Sequence, residues 1–387
     1  IFSLFLVFQF FYCIIQLYHE IDFYWRLVMK QRSRLTPSQF DFPIEKYKSG
    51  YYADSYFNRT KLILEELNPE VEVLMQVFQR KEALLCGMDE TLAMLALCVE
   101  NPEKIKVHAL KDGDSISPWE TALTIEGPLT EFVHFETLYL GFLSRQTKIA
   151  TNVSKAVKAA NGKPVLFFPS RFDLPEVQEK DGYAAFIGGV ISASTPANNY
   201  YSGLEAAGTI PHAIIAAFGG DTVAATKAFD QVIDPKVNRV ALVDYTNDCV
   251  NTSLAVAREL KERLWGVRLD TSDSMVDRSL WDQMGSFKPT GVCPELVQNV
   301  RTALDSEGFQ HVKILVSGGF NPERITQFES LNVPVDSYAV GNSFLEGSYS
   351  FTADVVQVNG KLCSKAGREY RPSSRLEYIN LAEWKKL

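Results

Sequence analysis

Basic clusters, histidines and closely spaced cysteines are scarce in this chain of 387 residues. No run of Lys and Arg is long enough to follow a nucleic-acid backbone, and the net charge at pH 7 is −8, so we expect no nucleic-acid partner. The six cysteines lie far apart and lack the C-x-x-C spacing of zinc and redox motifs. We therefore expect reduced thiols and a cytoplasmic protein.

A long hydrophobic run is absent from most of the chain but present at its start. Residues 1–29 contain IFSLFLVFQFFYCIIQLY, which has nearly the length of a membrane span. The basic residues that precede the apolar core of a signal peptide are missing. This stretch is either a membrane anchor or, as we favour, upstream sequence that is not part of the native protein. On the second interpretation we expect no membrane partner.

The remaining sequence changes its pattern near residue 146. Residues 30–145 mix helical stretches such as DETLAMLALCVEN with strand-like stretches such as VEVLMQVFQRK, which predicts an α+β domain. Over residues 146–345, apolar runs end at polar residues or glycine and amphipathic helices follow, which predicts parallel βα units. Residues 346–387 contain a predicted hairpin with its turn at Asn359-Gly360, and we expect them to rejoin the first domain.

Two of the predicted helices indicate which face they bury. The first is expected to bury Val250, Leu254, Ala257, Leu260 and Leu264. The second begins at Pro294, a residue well suited to a first helical turn, and is expected to bury Leu296, Val297, Val300 and Leu304.

Charged residues, a histidine and glycines are concentrated where the predicted strands of residues 146–345 end. They are Arg171, His212, Asp244, Arg268 with Asp270, Gly318 with Gly319, and Gly341 with Asn342. An open doubly wound sheet places its ligands at strand ends. A barrel of parallel strands does so at many successive strands, and therefore we predict an irregular parallel α/β barrel.

Two turns at consecutive strand ends indicate a phosphate site. Ser317-Gly318-Gly319 precedes a predicted helix that begins at Asn321 and Pro322, and Gly341-Asn342 follows the next strand. Backbone N–H groups at such turns bind anions. A tight connection between strand and helix explains one such turn equally well, but two in succession favour phosphate.

Three further positions have a functional and a structural interpretation. Arg268 and Asp270 are two residues apart on a predicted strand, so their side chains share a face. Either they bind an anion together with a metal or a sugar hydroxyl, or they form a structural ion pair. Asp244 either contributes to the same site or caps the next helix. His212, in GTIPHAII, is either a structural histidine or a phosphoryl acceptor or acid–base group, which we favour.

A set of motifs, taken in order, resembles the nicotinate phosphoribosyltransferases in their shorter archaeal-type form. The motifs are KSGYYADSYFNRT, FETLYLGFLS, AAFIGG, GTIPHAII, ALVDYTND, LWGVRLDTSD and VKILVSGGFNPE, and the similarity runs from about Lys48 to Gly367. The resemblance implies a type II phosphoribosyltransferase fold, with an α/β sandwich domain built from both chain ends and an irregular α/β barrel.

The same resemblance implies an activity. Nicotinate and 5-phosphoribosyl-1-pyrophosphate would give nicotinate mononucleotide and pyrophosphate, with Mg²⁺ as cofactor and ATP hydrolysis coupled through a phosphohistidine. It also implies a homodimer with shared active sites. The implied residues are His212, Asp244 and Asp270 as catalytic groups, Asp54, Tyr56, Arg171 and Arg268 for substrate, and Ser317, Gly318, Gly319, Gly341 and Asn342 for phosphate.

Three alternatives remain open. The base could be nicotinamide or quinolinate, although no basic cluster suited to the second carboxylate of quinolinate is evident. The stretch FDLPE after Arg171 differs from the usual pattern, which leaves room for a non-catalytic nucleotide-binding relative. An aldolase-like barrel would need a Schiff-base lysine at a strand end, and no predicted strand ends in Lys.

Overall fold

The computed structural model describes residues 33–203 and 209–387. The apolar residues 1–29, and the choice between an anchor and upstream sequence, lie outside these ranges. In the part of the chain that is described, no helix is long and apolar enough to cross a membrane. The chain divides into two compact units, one ending at Thr151 and completed by Gly347–Leu387, the other comprising Asn152–Glu346. The expected domain borders were 145/146 and 345/346.

The strands within the described ranges are short. They are β1 (Glu72–Phe78), β2 (Ala83–Leu84), β3 (Lys106–Ala109), β4 (Ser115–Ile116), β5 (Thr121–Pro128), β6 (Val165–Phe167), β7 (Ser192–Ala193), β8 (Val240–Leu242), β9 (Gly266–Leu269), β10 (Lys313–Val316), β11 (Ser337–Val340), β12 (Thr352–Val358), β13 (Lys361–Leu362) and β14 (Glu377–Ile379).

The α-helices of the same residues connect most of these strands. They are α1 (Ile44–Lys48), α2 (Ser55–Leu67), α3 (Met88–Cys98), α4 (Glu136–Ala159), α5 (Gln178–Gly188), α6 (His212–Ala217), α7 (Thr222–Val232), α8 (Cys249–Leu260), α9 (Pro294–Ser306), α10 (Pro322–Ser330) and α11 (Leu381–Trp384). Short 3₁₀ turns, such as Ser170–Phe172 and Asn342–Leu345, follow two of the strands.

The first unit is built on an antiparallel sheet in the order β13-β12-β1-β5-β3-β14. Strand β1 pairs with β12 on one side and β5 on the other, so the C-terminal segment completes the sheet as expected. The hairpin between β12 and β13 turns at Asn359 and Gly360, whose φ angles of 48° and 75° suit a two-residue turn. Helix α3 is buried along almost its whole length, because it is apolar on most of its surface.

The second unit contains a parallel sheet in the order β7-β6-β11-β10-β9-β8. Its outer strands, β7 and β8, do not pair with each other in the described residues, and the sheet is therefore a half-barrel. The prediction of an irregular parallel α/β barrel with a second domain built from both chain ends is confirmed. Since all six strands are parallel, their carboxyl ends lie along one edge of the sheet.

The two predicted helix faces have different outcomes. Helix α9 buries the four residues expected of it. Helix α8 instead buries Cys249, Ser253, Val256, Ala257 and Leu260, so the prediction is wrong for Val250 and Leu254, which are only half-buried. Leu264 is buried, but it lies beyond the end of α8. At its first turn, the N–H of Cys249 donates to the buried carboxylate of Asp277 at 2.8 Å, a tertiary contact that helps to hold this end of α8.

Asp277 is expected to be a strong stability determinant of the second unit. Its carboxylate also accepts from the N–H and the hydroxyl of Ser279, at 3.0 and 2.8 Å. Asp277→Ala leaves the buried N–H of Cys249 and the half-buried donors of Ser279 unpaired and should lower the free energy of unfolding by about 2 kcal/mol or more. Urea unfolding measures the change. Asp282→Ala, at an exposed position, is the control and should cost less than about 0.5 kcal/mol.

Candidate functional site

The residues predicted to be functional in the second unit follow strands of one parallel sheet. Arg171 comes after β6, Asp244 after β8, Asp270 after β9, Ser317 to Gly319 after β10, and Gly341 and Asn342 after β11. Strands β8, β9, β10, β11 and β6 are successive neighbours in the sheet. The structure therefore brings these residues to one edge, which we call the site edge.

His212 and Asp244 form a hydrogen-bonded pair at the site edge. Nε2 of His212, the first residue of α6, lies 3.1 Å from Oδ1 of Asp244. The histidine side chain is 49% exposed, whereas the carboxylate of Asp244 is 8% exposed. Helix α8 is capped by Asp248, whose side chain accepts from the N–H of Asn251. The interpretation of Asp244 as a helix cap is therefore wrong.

The pKa of Asp244 depends on its burial and on the charged residues around it. Burial raises the pKa of Asp244, the His212 imidazole opposes this shift, and the nearby charge of Asp270 adds to it. A carboxylate in this position fixes the orientation of the imidazole and leaves the other ring nitrogen available to a ligand.

Arg268 is a buried cation with unused hydrogen-bonding capacity. Its side chain is 11% exposed, and Nη2 lies 3.8 Å from Oδ2 of Asp270, too far for a hydrogen bond. Its Nε is buried without a hydrogen-bond partner among the described residues. Burial lowers the pKa of Arg268. The negative charges of Asp270 and Asp244 raise this pKa, and the positive charge of Arg171 lowers it further. An unpaired buried N–H is unfavourable, so the arrangement suits an incoming anion.

The turn after β10 has the backbone expected of a phosphate loop. Gly318 and Gly319 have φ angles of +86° and +74°, which favour glycine. The hydroxyl of Ser317 donates to Oδ1 of Asp270 at 2.7 Å, and Arg324 donates to the carbonyl of Gly318 at 2.7 Å. In the described residues, the N–H groups of Gly318 and Gly319 donate no hydrogen bond to protein. They are therefore available to an anion.

Gly341 lies in a crowded position. Its φ and ψ are −112° and −113°, and a Cβ here would lie 3.0 Å from the ring of Phe172. The guanidinium of Arg171 lies over the same ring, 5.0 Å from its centroid. The next residue, Asn342, donates from Nδ2 to Glu346 at 3.1 Å and begins a 3₁₀ turn. The turns after β6 and β11 therefore pack against each other.

Asp54 and Tyr56 lie in the first unit. The hydroxyl of Tyr56 donates to Oδ2 of Asp54 at 3.2 Å, and both side chains lie at the start of α2. Tyr56 is 57% exposed. The structure thus brings these two predicted residues together.

The sequence interpretation missed an arginine cluster in the first unit. The guanidinium groups of Arg80, Arg368 and Arg371 lie 5.0, 5.3 and 5.0 Å from the ring of Trp119. Trp119 has an unusual φ of 69°. Nη1 of Arg368 is buried without a hydrogen-bond partner among the described residues, although Asp354 lies 3.7 Å from Nε. Three converging cations suit an anion, and the dense basic residues of GREYR were the signal available in the sequence.

Two family models match the chain. The quinolinate phosphoribosyl transferase N-terminal domain matches residues 54–147, and the C-terminal domain of the same family matches residues 149–345. The chain belongs to the quinolinate phosphoribosyl transferase family. The family resemblance predicted from the motifs is confirmed.

The relatives and solved structures agree with this family. A nicotinate phosphoribosyltransferase, pncB1, from Mycobacterium tuberculosis is 29% identical over 258 residues, which cover 65% of this chain and 52% of the relative. A nicotinate phosphoribosyltransferase from Bacillus subtilis is 24% identical, covering 62% of this chain and 45% of the relative. The chain thus spans about half the length of the curated relatives that it matches.

Among solved structures, nicotinate-nucleotide pyrophosphorylase from Pyrococcus furiosus superposes with a TM-score of 0.74 at 33% identity, covering 88% of this chain and 85% of that one. Human nicotinic acid phosphoribosyltransferase superposes with a TM-score of 0.58 at 18% identity, covering 80% and 75%, and shows the fold alone. For this member of the family, the roles of the individual site residues stay predictions.

Gly318→Val should weaken phosphate binding at the turn after β10. A side chain there strains the backbone at φ +86° and places its Cβ 3.4 Å from Oδ1 of Asp270. We expect ribose 5-phosphate to raise the melting temperature of the wild type and to bind the variant at least about tenfold more weakly, a loss of 1.4 kcal/mol. Thermal shift and calorimetry measure this.

Gly308→Val is the matched control for this substitution. Gly308 has a similar φ of +84°, but no atom lies within 4 Å of the position of its Cβ. Both variants should lose stability from backbone strain, and only Gly318→Val should lose the ligand. Equal affinity in the two variants would contradict the phosphate assignment.

Proposed function

We propose that this protein is a phosphoribosyltransferase of NAD biosynthesis that joins nicotinate to the ribose of 5-phosphoribosyl-1-pyrophosphate and releases pyrophosphate. One observation carries the proposal: the site edge combines a buried cation with unused donors, two carboxylates and a glycine turn with available N–H groups. The similarity to nicotinate phosphoribosyltransferases of Mycobacterium tuberculosis and Bacillus subtilis supports nicotinate as the base.

Each part of the site edge has a role in this reaction. Loss of pyrophosphate from C1 of the sugar leaves a centre with oxocarbenium character, which a nearby carboxylate stabilises. Asp270 is proposed for this role, because Ser317 holds its Oδ1 at 2.7 Å. The turns Ser317–Gly319 and Gly341–Asn342 fix the 5′-phosphate and thereby position the reacting carbon. Arg268 and Arg171 bind the anionic groups of the substrates.

Magnesium is the proposed metal. Mg²⁺ in such sites takes one or two carboxylates together with water and substrate phosphates, rather than a cage of protein ligands. Asp244 and Asp270 offer such carboxylates, and no group of three ligating side chains exists in residues 33–203 and 209–387. The donor set therefore fits a metal shared with a substrate. When bound, Mg²⁺ would neutralise charge on the pyrophosphate.

ATP coupling is proposed to use His212. Asp244 hydrogen-bonds Nε2, so Nδ1 would attack the γ-phosphorus of ATP, forming an N–P bond while ADP leaves. The imidazole is 49% exposed and is therefore accessible from solvent. The phosphorylated histidine would change the affinity for the phosphoribosyl donor, since coupling needs different affinities in the two states.

A homodimer with shared active sites is part of the proposal. Asp54 and Tyr56 would contribute to the base site of the other subunit, and the arginine cluster around Trp119 offers a second place for donor phosphates. The exposed position of Tyr56 supports this arrangement. The expected location of the protein is the cytoplasm.

Quinolinate is the second candidate base. The two matching family models, which are those of quinolinate phosphoribosyl transferase, favour it. We expect nicotinate to be used at least about tenfold better than nicotinamide or quinolinate, because one carboxylate matches the limited number of cations at the site edge. Product formation from each base with 5-phosphoribosyl-1-pyrophosphate measures the preference. Quinolinate turnover with carbon dioxide release would establish the second candidate, and no turnover of any base would favour a non-catalytic relative.

His212→Asn should abolish ATP hydrolysis and acid-labile phosphorylation while leaving a weak, ATP-independent transferase. Asparagine retains a donor for Asp244 but cannot accept a phosphoryl group. Incubation with γ-labelled ATP, followed by assays of nicotinate mononucleotide with and without ATP, tests both effects. His311→Asn, at the other end of the sheet, is the control and should retain the label. Equal labelling of the His212 variant and the wild type would exclude His212 as the acceptor.

A further inference from the structure

Asp54 occupies a helix-capping position without capping the helix. It immediately precedes α2, where an aspartate usually accepts from the first backbone N–H groups and contributes about 1 kcal/mol. Its side chain accepts no such bond. The carboxylate is instead held by two hydroxyl groups, so its position is determined by something other than the stability of α2.

Thr137 is the main partner of Asp54. The backbone N–H of Asp54 donates to Oγ1 of Thr137 at 3.0 Å, and the same hydroxyl donates to Oδ2 of Asp54 at 3.1 Å. One hydroxyl thus uses both its acceptor and its donor capacity on a single residue. Tyr56 adds a second hydroxyl at 3.2 Å to the same Oδ2. This geometry restricts the carboxylate and leaves Oδ1 for a ligand.

Glu136, next to Thr137 at the start of α4, is an acidic residue whose charge interacts with Asp54. Burial, followed by the charges of Asp354 and Asp54, raises the pKa of Glu136 to about 7. The titratable groups in its electrostatic reach are Asp54, Tyr56, Tyr139 and Asp354, the last surrounded by Arg80, Lys365 and Arg368. Once Glu136 ionises, its charge repels Asp54.

We infer that Thr137 is a positioning residue that holds the Asp54 carboxylate in the geometry needed to bind the pyridine base. Thr137 acts through Asp54 and against the repulsion from Glu136. The inference rests on the proposed function, in which Asp54 and Tyr56 contribute to the base site.

Thr137→Val removes the hydroxyl and keeps the shape of the side chain. With one hydrogen bond to a carboxylate lost, KM for nicotinate should rise roughly tenfold, with kcat changed less than about twofold. Thr137→Ser should restore the wild-type KM, since it retains the hydroxyl. The increase should be larger at pH 8 than at pH 6, because Glu136 is ionised at pH 8, and it should lose this pH dependence in Thr137→Val/Glu136→Gln.

Two further measurements separate positioning from other causes. Hydrogen–deuterium exchange of the peptide containing Asp54 should be faster in Thr137→Val than in wild type or Thr137→Ser, because the Asp54 N–H has lost its acceptor. Thr130→Val, in the same unit, is the control and should change neither exchange nor KM. In the Asp54→Ala background, which lacks the acceptor, Thr137→Val should add nothing to KM.

Two results would overturn the inference. One is unchanged hydrogen–deuterium exchange in Thr137→Val, and the other is effects of the two substitutions on KM that add in the double variant. If the wild type forms no mononucleotide from nicotinate, the proposed function fails, and the exchange measurement still decides whether Thr137 holds Asp54.

Discussion

The parallel pairing of β9 between β8 and β10 is the constraint on which the site edge depends. In this register Arg268 lies opposite Leu242 on one side and Leu315 on the other. Side chains alternate along a strand, so a slip by one residue would turn Arg268 and Asp270 to the opposite face. The same register brings the hydroxyl of Ser317 to Asp270. Strand pairing, rather than any local motif, assembles the charges.

Burying these charged groups destabilises the folded protein as long as no ligand is bound. Arg268 has a buried N–H without a partner in the described residues. Burial lowers the pKa of Arg268 and raises the pKa of Asp244, so it disfavours the charged form of both residues. An unpaired buried donor costs about 1–3 kcal/mol. The fully buried Val267 and Leu269 on the same strand, which pack into the sheet, help to offset that cost. Donors fixed before binding need no reorganisation when the substrate's charge develops.

Much of the second unit could be predicted from its sequence, because strand ends are marked locally. The apolar run before Ser317 and the capping residue Asn321 indicate a strand, a turn and a helix, and the structure has all three. The buried face of α8 was harder to predict, because it depends on tertiary contacts such as that between the N–H of Cys249 and the distant Asp277. Periodicity identifies a helix reliably, but the rotation of the helix depends on tertiary contacts.

The contacts of the candidate residues in the first unit were even harder to predict from the sequence. Arg80 and Arg368 lie near opposite ends of the chain and meet only because β1 pairs with β12. Asp54 has the residue type and position of a helix cap, so the sequence correctly indicates where α2 begins. Its carboxylate nevertheless bonds to Thr137, a residue of another helix. A capping residue therefore identifies a helix start, whereas the group that its side chain binds is decided by what tertiary structure places beside it.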